Sequence, residues 1–183
     1  YTLLAAARGA QVVAFEPVVE NAATLIRNLA INNLLERVIV IPAGLADTNG
    51  LSWMHFSDMR SGAASHTLTA ESRQKTLHQQ MQPIFRGAEL GGMLELPLPH
   101  AIKIDVDGLE REVLLGLQPM LAASPLLRSL IVELQPAWEA ECVDWLRQNQ
   151  WDLLERFSER NGKSMGIAYG AFGRPSGWGE AAT

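Results

Sequence analysis

Residues 101–116 set two carboxylates, Asp105 and Asp107, where an apolar strand pattern gives way to a helix pattern. In an open α/β sheet, the carboxyl end of a strand is where ligands bind. Ile102 and Ile104 point one way while Lys103 and Asp105 point the other, so a charged side chain arrives at the strand end and Asp107 follows in the turn. Asp107 stands where it can cap the helix, with Glu110 at capping-box spacing. Capping alone would explain Asp107, and pairing with Lys103 or a backbone amide would explain Asp105. Val12, Val13, Ala14 and Phe15 repeat the design, ending on Glu16 and Pro17 before the next helix. An acid at that place in a doubly wound fold commonly accepts hydrogen bonds from both hydroxyls of a ribose. Glu16 is therefore the first candidate for a cofactor contact, the plain alternative being a solvated acid at a helix start.

The elements that must position these acids follow from periodicity. Residues 1–9 form a helix with Gly9 as its C′ residue. Ala22, Leu25, Ile26 and Leu29 give a helical stripe, and residues 38–41 an apolar run expected of a parallel strand buried on both sides. Val113, Leu114 and Leu117 form another stripe, 128–134 a strand, and Trp138, Cys142, Trp145 and Leu146 the next helix. Residues 151–157 and 165–172, around Asn161 and Gly162, predict a closing hairpin. The Trp residues serve packing, and Cys142 is a small buried hydrophobe. Residues 50–99 break the rhythm. Leu51 to Phe56 starts a strand pair, but 57–82 is rich in Ser, Thr, His and Gln without periodicity, as in a long connection or a lid. Its histidines, His66 and His78, and the nearby His55 are expected to be exposed, and no His or Cys pair has metal-ligand spacing, so no metal is expected.

Four blocks resemble the FkbM-type methyltransferases. They are Val13 to Pro17 with Glu20, Asn21 and Arg27 to Asn33; Ala43 to Asp47 with Gly50; Ile102 to Glu110; and Ile131 to Leu134. They run in the family's order and spacing, with Asp107 where the family usually has Glu. The resemblance implies an α/β fold with a Rossmann-like class I methyltransferase sheet, mostly parallel and with a C-terminal antiparallel hairpin. It implies a single domain over 1–183, with 51–99 as an acceptor-side insert or lid. The family's first strand and Gly-rich turn are expected ahead of Tyr1. In that arrangement the strand is central, so without it the chain should pair the strands at Val12 and Ala101 directly, recruit a strand from another copy as a homo-oligomer, or aggregate.

The same resemblance implies S-adenosyl-L-methionine as cofactor and a small-molecule hydroxyl acceptor such as a sugar, glycolipid or polyketide. Glu16 would hold the ribose, Pro17 would pack near the adenine, and Gly44, Leu45 and Ala46 would lie along the adenine edge. A hydroxyl is a poor nucleophile until it loses its proton, so a general base is useful. Asp105 and Asp107 are best placed for that role, His66 and His100 less so, and Asp105 could instead contact the cofactor. A nicotinamide oxidoreductase would share the acid at Glu16, and a non-catalytic remnant or binding module of the same fold is the other alternative. The chain's 183 residues are 48% hydrophobic and 19% charged, with net charge −5, which fits one cytoplasmic domain. No run of Lys or Arg offers nucleic acid a basic patch, and no apolar run has the roughly 20 residues of a membrane span.

Overall fold

The first helix, α1 (Thr2–Ala7), stops where Gly9 turns to φ 95°. A positive φ suits a residue without Cβ, and it swings the Gly9 and Ala10 N–H groups onto the carbonyls of Ala6 and Ala5. The same closure ends α2 (Val19–Ile31) at Asn33 and α5 (Glu139–Gln148) at Gln150, both with positive φ. In each of those two, the residue after the turn is apolar, Leu34 or Trp151, and its N–H bonds back to Leu29 or Leu146. In this computed structural model, residues 1–56, 66–68, 78–106, 108–158 and 168–175 are described. They divide into two compact units, Tyr1–Phe85 and Arg86–Thr183.

In the first unit, β1 (Val12–Phe15) pairs in parallel with β2 (Val38–Ile41), from Val12 opposite Val38 to Phe15 opposite Ile41. Ala6, Leu29 and Val38 form the core on one face, with Leu3, Val12, Ala14, Leu25, Leu34 and Val40 packed around them. The other face is more open. Ile39 is 48% exposed, which corrects the expectation of a strand buried on both sides, and Ile26 at 45% lies outside the buried stripe of α2. A side chain beside the stripe can point to water without harming it.

A second sheet of this unit has the order β3-β6-β4-β5, from β3 (Gly44–Ala46), β4 (Gly50–Phe56), β5 (His66–Leu68) and β6 (His78–Arg86). β4 runs antiparallel to both β5 and β6. Strands thus occupy part of the stretch 57–82 that sequence patterning assigned to a connection. Gln79, Gln80 and Gln82 hide the alternation, and Pro83 argues against an interior strand on composition alone. His55 is likewise corrected: it is 8% exposed, with its Nδ1 3.2 Å from Gln79 Nε2.

The second unit holds α3 (Gly87–Met93), β7 (Ala101–Ile104), α4 (Glu110–Ala123), β8 (Ser129–Leu134), α5, β9 (Asp152–Ser158) and β10 (Ala168–Gly173). Its sheet has the order β7-β8-β10-β9. β7 and β8 are parallel, while β10 is antiparallel to both neighbours, so the expected hairpin of β9 and β10 is present. Leu130, Val132 and Leu134 of β8 are fully buried, as are Leu121, Leu146, Trp151 and nearly so Val113, Leu114 and Leu117. Trp151 donates its indole N–H to the Leu121 carbonyl at 3.2 Å, satisfying the polar end of a buried ring. Burial, then the charges of Glu110, Glu139 and Glu141, push the Cys142 thiol up to about 12.

The architecture is therefore mixed α/β. The described strands lie in three sheets that combine parallel and antiparallel pairs, not in one mostly parallel sheet. β1 is hydrogen-bonded to β2 and β7 to β8, and among the described strands neither has a partner on its other side.

Candidate functional site

The junction of β7 and α4 is built around Glu110. α4 begins at Glu110 itself with Leu109 as its N-cap residue, while Asp107, expected as the cap, lies outside the described residues. Glu110 reaches back: its Oε1 accepts the N–H groups of Val106 at 3.1 Å and Gly108 at 3.2 Å. Gly108 at φ 101° lets the chain turn so that its N–H faces that carboxylate. Glu110 is fully buried, and among the described residues its Oε2 has no hydrogen-bond partner. Burial raises its pKa; its own backbone N–H and those of Gly108 and Val106 pull it back, and the Asp105 charge adds to the rise. The loop carrying Asp105 is thereby fastened from below by a second, hidden carboxyl group.

Asp105 lies just past the end of β7, its side chain 35% exposed and ion-paired with Lys103. Lys103 also stands 5.4 Å from the centre of the Tyr169 ring, which stacks on Phe157 at 5.7 Å. Glu133 of β8 sits opposite Tyr169 of β10 and is 4% exposed, with Gln135 donating to its Oε1 at 2.7 Å. Partial burial works to raise the Asp105 pKa, but hydrogen bonds with Glu133 and Lys103, the Lys103 charge and a hydrogen bond with Tyr169 outweigh it, so the net direction is down. An ionised carboxylate with one side open to solvent can take a proton from a ligand.

At the carboxyl end of β1 and β2, the Ile41 carbonyl accepts both Glu16 N–H at 3.1 Å and Ala43 N–H at 2.9 Å. That bond brings Glu16 beside the turn leading to Gly44, Leu45 and Ala46 of β3. The Glu16 Oε1 accepts Val18 N–H at 2.9 Å, which turns the chain through Pro17 into α2. Val18 is buried with Met54 of β4. A carboxylate has about four acceptor positions, so the bond to Val18 fixes the group without exhausting it. Its half-buried place at the end of a parallel pair suits a diol-bearing ligand.

Glu16, Pro17, Gly44, Leu45 and Ala46 thus share one strand-end region of the first unit, while Asp105 belongs to the second unit. Asp107 and the residues 57–65 and 69–77 lie outside the described residues. His100 is exposed, its carbonyl accepting the N–H groups of Arg128 and Ser129. The pairing of Asp105 with Lys103 was readable from sequence; Glu133 and Tyr169 were not. The signal available was Glu133 itself, a charge inside the apolar run of β8, where a carboxyl group must find partners. Among the described residues, no cluster of His, Cys, Asp and Glu could hold a metal ion, and no helix is long and apolar enough to cross a membrane. A family model, the methyltransferase FkbM domain, matches residues 1–165. No curated protein and no solved structure matches the chain.

Proposed function

The chain belongs to the FkbM methyltransferase family, and from that premise we propose that it transfers a methyl group from S-adenosylmethionine to the hydroxyl oxygen of a small molecule such as a sugar, glycolipid or polyketide. The observation that carries the reading is the family match over residues 1–165. The parallel pairs β1–β2 and β7–β8, each followed by an acid at its carboxyl end, support a Rossmann-like methyltransferase fold. When bound, the cofactor supplies an electrophilic methyl group and departs as a neutral thioether.

This chain's residues do the rest. Glu16 accepts the two ribose hydroxyls, Pro17 packs near the adenine, and Gly44, Leu45 and Ala46 line its edge, as the family resemblance implies. Asp105, ionised and tethered by Lys103, takes the proton of the acceptor hydroxyl as that oxygen attacks. Asp107 is the second acid available at the same junction. Residues 51–99 supply acceptor contacts. Holding oxygen and methyl carbon in line supplies much of the acceleration, which favours acids fixed by their surroundings over mobile ones.

The test is calorimetry with S-adenosylmethionine, followed by transfer of its isotopically labelled methyl group to a panel of hydroxyl acceptors. Binding together with label on an acceptor oxygen supports the reading. Binding without transfer to any oxygen would leave a binding module, and absence of binding would overturn the cofactor assignment.

A further inference from the structure

A row of polar side chains crosses the second unit's sheet. Register sets Glu133 of β8 opposite Tyr169 of β10, and Tyr169 opposite Phe157 of β9. Asp105, one step beyond the end of β7, follows the β7–β8 register from Ile104 opposite Val132 and so comes beside Glu133, and its ion pair with Lys103, which stands over the Tyr169 ring, joins it to the row. Two neighbouring carboxyl groups repel when both are ionised, and one can accept a hydrogen bond from the other only when that other carries a proton. Glu133 is 4% exposed and Asp105 is open on one side, so the proton is better held on the buried partner. We propose that Glu133 is a positioning residue, which keeps one proton between its carboxyl group and that of Asp105 and thereby holds Asp105 ionised and aimed as the base. The inference rests on the reading of Asp105 as the base for methyl transfer.

The charges close on this assignment. With the proton on Glu133, the anion of Asp105 is balanced by its ion pair with Lys103. With Glu133 ionised as well, two carboxylates would face one ammonium in a largely buried place. Among the described residues, the groups facing the pair include Lys103 on its own strand, Tyr169 from β10, Gln135 beyond β8, and Glu110 from α4, whose carboxyl group feels the Asp105 charge. During transfer the acceptor proton moves to Asp105 while the acceptor oxygen forms its bond to the methyl carbon. The electron pair of the broken carbon–sulfur bond stays on sulfur. Asp105 then returns its proton to solvent through its exposed side, and Glu133 keeps its own throughout.

Carboxyl carbon NMR on the whole chain tests the proton directly. Across the neutral range the Glu133 signal should stay that of a protonated acid and Asp105 that of a carboxylate. Two carboxylates at neutral pH would overturn the proposal whatever the activity. Glu133→Gln mimics the protonated acid, keeping an acceptor for Gln135 and a donor for Asp105, so methyl transfer should stay within a few-fold of the natural rate. Glu133→Ala removes the donor; kcat should fall by about ten- to hundredfold, less than loss of the base itself, with the acid limb of the pH profile moved and cofactor affinity unchanged. If Glu133→Gln retains Asp105 titration but loses activity as Glu133→Ala does, an ionised Glu133 is required and the proposal fails. A retained proton with no methyl transfer in the natural chain would instead remove the base reading of Asp105 and leave the shared proton standing.

Discussion

Glu16 and Asp105 end strands written in the same way, an apolar run closing on an acid before a helix, yet their surroundings differ. Glu16 turns back on its own chain and holds Val18 N–H, so its carboxylate is fixed by local backbone. Asp105 is held by side chains from β7, β8 and β10. A carboxylate positioned by a backbone N–H is suited to hold a ligand. A network of titratable side chains sets where a proton sits, which a base needs. Under the proposed function, one sequence pattern thus yields a holding acid and a proton-handling acid, and the difference lies in the partners.

The largest effect should come from Asp105→Asn. If Asp105 is the base, kcat for methyl transfer falls by about 10² to 10⁴ while cofactor affinity changes only a few-fold. A loss of cofactor affinity equal to the loss of rate would erase the contrast with Glu16 and make both acids holding groups. Glu16→Ala should give the opposite split. Calorimetry should show cofactor affinity reduced roughly tenfold or more, in line with about 1.5–3 kcal/mol for hydrogen bonds to a charged group. At saturating cofactor the rate should largely recover. Glu16→Gln, which keeps an acceptor for Val18 N–H, separates lost ligand contact from a loosened turn.

The smallest effect sharpens the Asp105 side. The Glu110 pKa is raised above 4.5 in the folded chain, so the folded state holds this proton more tightly than the unfolded state. The stability it contributes is complete below 4.5 and is lost as pH rises through the higher folded value. Glu110→Gln keeps an acceptor for Val106 and Gly108 but cannot ionise. Its Tm should therefore fall less than the natural chain's between about pH 4 and about pH 7. Parallel melting curves would show that Glu110 is ionised at no cost and does not support the loop in neutral form.

Much of this was legible in the sequence because buried faces leave a period. The stripe of Val113, Leu114 and Leu117, the runs of β1, β2, β7 and β8, and the closing pair β9 and β10 could be read before the structure. β6 could not, since its backbone bonds are made whatever its side chains are, and its Gln residues blur the alternation that marks a half-buried strand. Glu110 was visible as an acid at the helix start, but the spacing did not show that the helix begins at Glu110 and that its carboxyl group holds the N–H groups of Val106 and Gly108. Glu133 and Tyr169 escaped because their meeting with Asp105 depends on cross-strand register, which one-dimensional spacing does not carry.

Cys142 gives the chain an internal clock. It is the one cysteine in the sequence, 1% exposed, and its thiol is pushed up to about 12. Alkylating reagents attack the thiolate, so the native state offers them neither the charge nor the access. Modification must wait until the surroundings of α5 come apart, and its rate then counts openings of the second unit without a probe being added.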